Sequence, residues 1–216
     1  MCASAMQNQA AVSKLGAFKF RTRIQPDVAA PGVVYPLKSM VFGRLAPGGG
    51  REGALGSFGL VPEWVTDAQG GLKFGRRCYN ARKETIFEKP SFRSAIFRRR
   101  AVVPVSAFFE FPDREAPLRH RYKISRRDGG AFWLAAIWER HPGYGLESVA
   151  VITTTPMGLV ADFHSRSPVI LDDERMAAWL ETSSRPELEG FLVPHESSDY
   201  VLEAEPWGDH RQGELF

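Results

Sequence analysis

Cysteine is scarce in this sequence: among 216 residues only Cys2 and Cys78 are cysteines. Two cysteines cannot build a disulfide framework, and a chain of this length buries a core without one. Long apolar runs are lacking too. Residues 1–30 hold no sustained apolar segment of a secretory signal, and no stretch approaches the roughly 18 apolar residues of a membrane span. These absences predict a cytoplasmic protein in a reducing compartment, with no membrane partner.

Net charge is also small, at +3, but it is unevenly distributed. From Arg76 to Arg127 the chain carries 12 Arg and 3 Lys against 5 acidic residues, a net of +10, so the remainder carries −7. This split predicts a basic face for a polyanion and an acidic remainder that favours solubility. It excludes neither a small-molecule enzyme nor a solvated basic surface, because charge bears on partners and not on fold.

Short β-type segments separated by turn signals make up most of the chain. Strands are predicted at residues 39–42, 56–60, 101–105, 107–111, 121–124, 132–138 and 148–154. Helices are predicted at 91–98 and after a cap at Asp172 or Asp173. Because the strands follow one another without regular crossover helices, the fold class is α+β: a single domain, mainly an antiparallel sheet or barrel with a few flanking helices.

Residues 183–216 are only weakly periodic. We therefore expect a domain over residues 2–182, followed by a tail that wraps the domain or is partly disordered.

Cys2 is informative because of its position. Removal of Met1 leaves a free α-amine (pKa ~7.7 to 8.0) and a thiol (pKa ~8.5) on adjacent carbons, both partly nucleophilic near neutral pH. The amine forms a Schiff base with an aldehyde and the thiolate closes onto it as a thiazolidine; the thiolate alone attacks acyl carbons. Position alone leaves a second interpretation open, a chance cysteine in a frayed terminus.

A polar segment, Tyr79 to Thr85, follows Arg76 and Arg77. Asn80 is suited to holding a polar intermediate or a sugar oxygen, and Arg82 to binding a phosphate through two nitrogens. The residues alone favour a plainer interpretation, the start of a helix with a solvated basic turn.

Glu110 and His164 are candidate proton-transfer groups. In a strand over 107–111, Glu110 shares a face with Phe108. Aromatic surroundings disfavour the charged carboxylate and raise the pKa of the carboxyl. Such a carboxyl can act as a general acid near pH 7. A Glu on a wet sheet face is the alternative. His164 lies in a loop where it is suited to shuttling a proton, and Arg166 beside it to holding an anion. The other histidines show no metal-ligand spacing, so neither a metal nor another cofactor is expected.

Several blocks in order resemble the SOS-response-associated peptidase family. After Cys2 these blocks are Phe58 to Trp64, Asn80 to Thr85, Val103 to Phe111, Ile152 to Thr154 and His164 to Leu171. The resemblance extends from Cys2 to about Leu180.

The resemblance implies a protein that binds single-stranded DNA bearing an abasic site and links Cys2 to the sugar aldehyde as a thiazolidine, which shields the lesion. It implies that Asn80 holds the sugar or the amine, that Glu110 acts as acid and base during imine formation, and that His164 assists ring opening. Self-processing of the N-terminus by the same thiol and an abasic-site lyase activity are implied as well.

The DNA contacts implied are the phosphates at Arg82 and the other basic residues, and the nucleotides flanking the lesion at Trp64. The full set of expected DNA-binding residues is Trp64, Arg76, Arg77, Arg82 and Arg166. We expect a monomer, associated with the nucleoid when it is bound to DNA.

The sequence departs from the family pattern in three places. Ala3-Ser4 follows Cys2 where Gly-Arg is usual, so an early arginine is absent. Ser167 replaces a Met of the His-x-Arg-Met-Pro block, and residues 107–111 read Ala-Phe-Phe-Glu-Phe in place of Gly-Phe-Tyr-Glu-Trp. These exchanges keep the chemical groups and change their packing.

Two alternative functions remain open. A thiol peptidase on external substrates would use Cys2 with His164 as its base. A noncovalent single-stranded DNA-binding module would bind intact and abasic strands equally.

Overall fold

The computed structural model describes residues 4–22, 24, 32–113, 120–141, 145–195 and 198–207. Cys2 lies outside the described residues. The strands are β1 (Ser4–Gln7), β2 (Gly32–Val34), β3 (Ser39–Leu45), β4 (Arg51–Phe58), β5 (Asn80–Arg82), β6 (Arg100–Val105), β7 (Ala107–Glu110), β8 (His120–Arg126), β9 (Phe132–Arg140), β10 (Glu147–Thr154), β11 (Ser167–Pro168), β12 (Ile170–Leu171) and β13 (Tyr200–Pro206). The helices are α1 (Gln9–Ala17), α2 (Ala68–Arg77), α3 (Ala95–Arg98), α4 (Gly158–Ala161), α5 (Asp173–Glu181) and α6 (Arg185–Phe191).

Five strands pair in a closed ring, in the order β4-β3-β6-β9-β10 and back to β4. All neighbours in the ring are antiparallel except β10 and β4, which run parallel. The short strand β5 also runs parallel to β10, while β11 and β12 pair at the margins. Closure leaves the ring strands without free edges, which favours a stable body for the site.

A second sheet, β13-β8-β7-β1-β2, is antiparallel throughout. It packs on the barrel through an apolar cluster that includes Phe42, Phe58 and Phe108. Helices α1 and α5 contribute to a second cluster, which contains Trp133 and Trp179. The ring strands contribute side chains to both clusters, because successive residues of a strand point to opposite faces.

The helix-start signal at Asp172 is confirmed: its side chain accepts a hydrogen bond from the Arg175 N–H at 2.7 Å, directly before α5. At the other end of α5, the buried Arg100 donates to the carbonyls of Trp179 and Leu180 at 2.7 and 2.9 Å. Helix C-terminal carbonyls lack partners within the helix, so this arginine stabilises the interior.

The α+β fold class with mainly antiparallel strands is confirmed, and every predicted strand is present. The helix predicted at 91–98 is shorter, since only Ala95–Arg98 is helical and turns precede it. The interpretation of residues 79–85 as a helix start is wrong, because Asn80–Arg82 pairs with β10 as a strand.

Elements also lie beyond residue 182. Helix α6 follows α5, and β13 pairs with β8 along its whole length, from Tyr200 opposite Arg126 to Pro206 opposite His120. The domain boundary at 182 stays a prediction. Within the described ranges, no helix combines the length and apolarity that a membrane crossing requires.

Candidate functional site

Strand β1 leads the N-terminal end of the described chain to the strand that carries Glu110. The two strands are antiparallel, with Ser4 opposite Phe109. Gln7 anchors β1 to the barrel: its buried side-chain amide donates to backbone carbonyls of β3 and β6 at 2.8 and 3.0 Å and accepts an N–H of β3 at 2.9 Å. The first described residue is therefore held inside a sheet, next to the end of β7.

Glu110 ends β7 and is fully buried. It shares a strand face with Phe108, which belongs to the core between the two sheets. Burial raises the pKa of Glu110 to about 8, and the nearby Asp113 carboxylate adds to the increase. At pH 7 the carboxyl is therefore mostly protonated.

His164 is buried beside this carboxyl. Its Nε2 lies 3.5 Å from Oε2 of Glu110 and 3.1 Å from Oδ1 of Asp113. Burial lowers the pKa of His164, and the charge of Asp113 opposes that decrease. The result is a protonated carboxyl beside a neutral imidazole, an arrangement suited to moving a proton over a short distance.

The side chain of Arg166 ties the His164 loop to the barrel. Its Nε donates to Oγ1 of Thr153 at 3.1 Å and its Nη2 to the Thr153 carbonyl at 2.9 Å. The two Nη atoms also donate hydrogen bonds to the two carboxylate oxygens of Glu84, at 3.2 and 2.9 Å. A DNA contact of Arg166 stays a prediction, and it requires that Arg166 share its guanidinium with Glu84 or release that carboxylate.

Asn80 and Arg82 lie on β5, opposite Val151 and Thr153 of β10. Asn80 is buried and Arg82 is exposed. Their spacing of two residues places both on one face of the strand. The structure thus brings Glu110 and His164 together and joins Arg82 to Arg166 through Thr153, while the roles assigned to these residues stay predictions.

Trp64 and helix α2 form an exposed surface. The Trp64 side chain is 52% exposed and packs edge-on against Phe74 of α2, with ring centroids 5.0 Å apart. Arg76 and Arg77 are exposed on α2, and Leu72 is 54% exposed. A groove of about 620 Å³ runs along the helix, lined by Gln69, Gly70, Leu72, Lys73, Arg76 and Arg77. Solvent-facing aromatic and basic groups at one place are typical of nucleic-acid binding.

A glycine contact holds α2 against the body. Gly59 adopts a φ of +136°, and a Cβ there would lie 2.2 Å from the carbonyl oxygen of Gly75 in α2. Ser148 further fixes the connecting loop by accepting the Val61 N–H at 3.0 Å, and His141 contacts the carbonyl of Val65. The surface around Trp64 is therefore held by backbone packing.

The expectation of one basic face needs correction. Several of the arginines and lysines counted between 76 and 127 serve the fold: Arg100 is buried, and ion pairs join Arg99 to Glu139, Arg121 to Glu205 and Lys123 to Glu203. The last two acids belong to β13, far away in the sequence. A count along the chain misses such pairing, so the exposed basic surface is smaller than +10 indicates.

Sequence reasoning missed Asp113, Glu84 and Thr153. Asp113 stands three residues after Glu110, and that spacing was the only available signal. The replacement at Ser167 has a structural account, because its buried hydroxyl accepts the Met157 N–H at 3.0 Å just before α4. No group of three His, Cys, Asp or Glu side chains suited to a metal ion occurs in the described part of the chain.

The comparisons with known proteins agree on one family. The family model described as SOS response associated peptidase (SRAP) matches residues 1–206. Two Bacillus subtilis proteins named abasic site processing proteins, YoaM and YoqW, are 32% and 33% identical over 157 residues, which is 69% of this chain and 67% and 68% of theirs. The rat abasic site processing protein HMCES is 29% identical over 57% of this chain and 43% of its own.

Solved structures show the same fold. A crystal structure of a Bacteroides thetaiotaomicron protein superposes with a TM-score of 0.82 at 24% identity, covering 94% of this chain and 91% of the other. A Bordetella bronchiseptica protein gives 0.79 at 23% identity, covering 94% and 99%.

Proposed function

This chain belongs to the SOS response associated peptidase (SRAP) family, and from that membership and the geometry of its site we propose that it processes abasic sites in DNA. It binds a single strand that carries the lesion and captures the sugar aldehyde with its N-terminal Cys2 as a thiazolidine. The bacterial and mammalian relatives named for abasic-site processing support this assignment.

The observation that carries the proposal is the buried pair of Glu110 and His164, 3.5 Å apart. An abasic sugar is mostly cyclic, so capture needs a base to remove the C1 hydroxyl proton and an acid to protonate the ring oxygen as the C1–O bond breaks. A neutral imidazole and a protonated carboxyl supply both at neutral pH. His164 fits the first task and Glu110 the second.

Cys2 then reacts in two steps. After the ring has opened, His164 passes the proton that it took from the C1 hydroxyl to the Glu110 carboxylate, which restores both groups. The Cys2 amine adds to the aldehyde carbon, one amine proton moves to the oxygen to give a hydroxyl, and Glu110 protonates that hydroxyl so that it leaves as water; the remaining N–H proton returns to Glu110 as the imine forms. The thiol sulfur adds to the imine carbon while its proton goes to the nitrogen, which closes the ring. Atoms and charge balance without a metal or an oxidant.

The position of β1 supports this assignment. Cys2 precedes Ser4 by two peptide units of about 3.8 Å each, so covalent geometry limits its Cα to within about 8 Å of the Ser4 Cα. Ser4 lies opposite Phe109, the neighbour of Glu110. A nucleophile tethered so close to the acid needs little further ordering to react.

The surface of Trp64 and α2 provides the DNA contacts in this proposal. Trp64 stacks on a base next to the lesion, and Arg76, Arg77 and Arg82 bind phosphates. Stacking and phosphate contacts do not depend on base identity, which suits a protein that recognises damage in any sequence. Asn80 is buried where β5 meets β10, and we assign it to the sugar or the amine of the imine.

Two finer activities belong to the same site. In the first, the Cys2 thiol adds to the Met1 carbonyl carbon, the Met1–Cys2 amide bond breaks to free the Cys2 amine, and water hydrolyses the resulting thioester to release methionine, which accounts for the peptidase in the family name. In the second, the imine loses a proton from C2 and expels the 3′ phosphate before the ring closes, which gives an abasic-site lyase activity.

The test uses a labelled abasic oligonucleotide and denaturing gels. We expect a heat- and detergent-resistant adduct with the wild-type protein, none with Cys2→Ala, and unchanged noncovalent binding of that variant. An adduct that persists in Cys2→Ala refutes the assignment. Peptide turnover without DNA favours the thiol peptidase, and equal binding of intact and abasic strands without an adduct favours the noncovalent module.

A further inference from the structure

Asp113 fastens the His164 loop at three points. Its backbone N–H donates to the Phe163 carbonyl at 3.0 Å, and its Oδ2 accepts the Ser165 N–H at 2.8 Å. Its Oδ1 lies 3.1 Å from Nε2 of His164. One side chain and its own backbone thus engage three consecutive residues of the loop.

These contacts connect the two layers of the fold at the site. Asp113 follows β7 of the second sheet, whereas the loop lies between α4 and β11, at the barrel. The rings of Tyr122 and Phe163, with centroids 4.1 Å apart, make a further contact between the layers. The distance between Glu110 on one layer and His164 on the other therefore depends on how this junction is held.

Both ring nitrogens of His164 have partners among the described residues. Nδ1 lies 2.9 Å from the Arg166 carbonyl oxygen and 3.0 Å from the Arg166 nitrogen, and Nε2 faces Asp113 and Glu110. When Nδ1 carries the proton and donates it to the Arg166 carbonyl, Nε2 keeps a lone pair that accepts a proton on the side of Glu110. The Asp113 carboxylate beside Nε2 then stabilises the imidazolium that forms.

We propose that Asp113 is a positioning residue: it orients His164 beside Glu110, and its negative charge stabilises the imidazolium that forms when His164 acts as the base. The inference rests on the proposed function, since it assigns a role within that reaction. In this scheme Asp113 acts on the reaction through His164.

The charge of Asp113 gives this role a measurable signature. Burial works to raise the pKa of Asp113, but hydrogen bonds from Ser165 hold the pKa below its usual value, so the group is ionised. Among the described residues, the charged or titratable groups facing His164 are Glu110, Asp113 and Arg166. The negative charge of Asp113 favours the charged imidazolium and so raises the pKa of His164. When that charge is lost, we expect the pKa of His164 to fall.

The experiment compares Asp113→Asn with Asp162→Asn. The first variant keeps an oxygen acceptor and loses the charge; the second removes an exposed acid two residues before His164. The pKa of His164 is read by NMR titration of the free protein with carbon-labelled histidine. Adduct formation is timed against pH at saturating abasic DNA, and noncovalent DNA affinity is measured in a Cys2→Ala background.

For Asp113→Asn we expect the pKa of His164 to fall by roughly half a unit or more, the adduct rate at pH 7 to fall about tenfold, and DNA affinity to stay within about twofold. The His164-dependent limb of the pH–rate profile moves to lower pH. Asp162→Asn changes none of these, and Asp113→Glu, which restores the charge, regains part of the rate.

An unchanged His164 titration in Asp113→Asn overturns the inference, and so does a rate loss that Asp113→Glu does not relieve, accompanied by an equal loss of DNA affinity. If no protein forms an adduct, the proposed function fails and the reaction role fails with it. The titration of the free protein then still decides whether Asp113 controls His164.

Discussion

Replacing Glu110 by Gln distinguishes the effect of the buried carboxyl on the free energy of unfolding from its role in the reaction. The pKa increase from 4.5 to about 8 means that the folded protein holds a proton which the unfolded chain releases. The contribution of Glu110 to stability therefore falls as the pH rises from about 4.5 to 8. At 1.36 kcal/mol per pKa unit, the loss is ~3 kcal/mol by pH 7 and at most ~5 kcal/mol by pH 8.

The Glu110→Gln variant has no such titration, because an amide stays neutral. Its free energy of unfolding, minus that of the wild type, is therefore expected to increase by about 3 kcal/mol between pH 4.5 and pH 7. Any constant cost of burying the amide cancels in this pH dependence. Urea unfolding at a series of pH values measures it.

The same variant is expected to form the abasic-site adduct at least ~100-fold more slowly at pH 7, since the general acid is lost, with DNA affinity unchanged. Parallel stability curves for the two proteins would refute the raised pKa. Equal losses of adduct rate and DNA affinity would recast Glu110 as a structural residue.

Three further variants test the DNA-binding surface and the contacts that support the fold. Arg76→Ala combined with Arg77→Ala is expected to weaken DNA binding about tenfold at low salt and to reduce the slope of log affinity against log salt by about 1.4, measured by fluorescence anisotropy; an unchanged slope would remove both from the phosphate contacts. Gly59→Ala would place a methyl group 2.2 Å from the Gly75 carbonyl oxygen, so we expect DNA affinity and melting temperature to fall together, and normal DNA affinity would contradict the role given to this contact. Arg100→Met is expected to lower the free energy of unfolding by roughly 3 kcal/mol, because it strands buried carbonyls, while DNA affinity stays the same; weaker DNA binding in a protein of normal stability would return Arg100 to the basic face.

The central strands could be predicted from the sequence because their local pattern and their burial agree. β6 and β9 are rich in β-branched and aromatic residues, and almost every position is buried. β1 could not be found this way. None of its four residues is β-branched or aromatic, and Gln7 is stabilised by hydrogen bonds to strands 34 and 97 residues away. Tertiary contacts, and not local preference, make this segment a strand.

The residues of the candidate site also differ in whether local sequence or distant contacts reveal them. Glu110 could be identified because a carboxyl in so apolar a run of residues is more often placed there for a role than by accident, and its burial agrees with that reasoning. For Asp113 the only local signal was its spacing from Glu110, and Glu84 gave none, since their contacts are with His164 and Arg166, which lie far along the chain. The basic surface was overestimated for a related reason: the acids of β13 that pair with Arg121 and Lys123 are invisible to a count over neighbouring residues.

Intact-protein mass spectrometry, before and after incubation with an abasic single-stranded oligonucleotide, shows at once whether Cys2 is the terminal residue and whether it captures the lesion. We expect a starting mass that lacks Met1 and a product heavier by the oligonucleotide minus one water, since thiazolidine formation releases one water. No such product is expected for Cys2→Ala. Covalent capture by Cys2 is refuted if the wild-type protein starts at Cys2 and shows no mass increase, or if the increase is retained in Cys2→Ala.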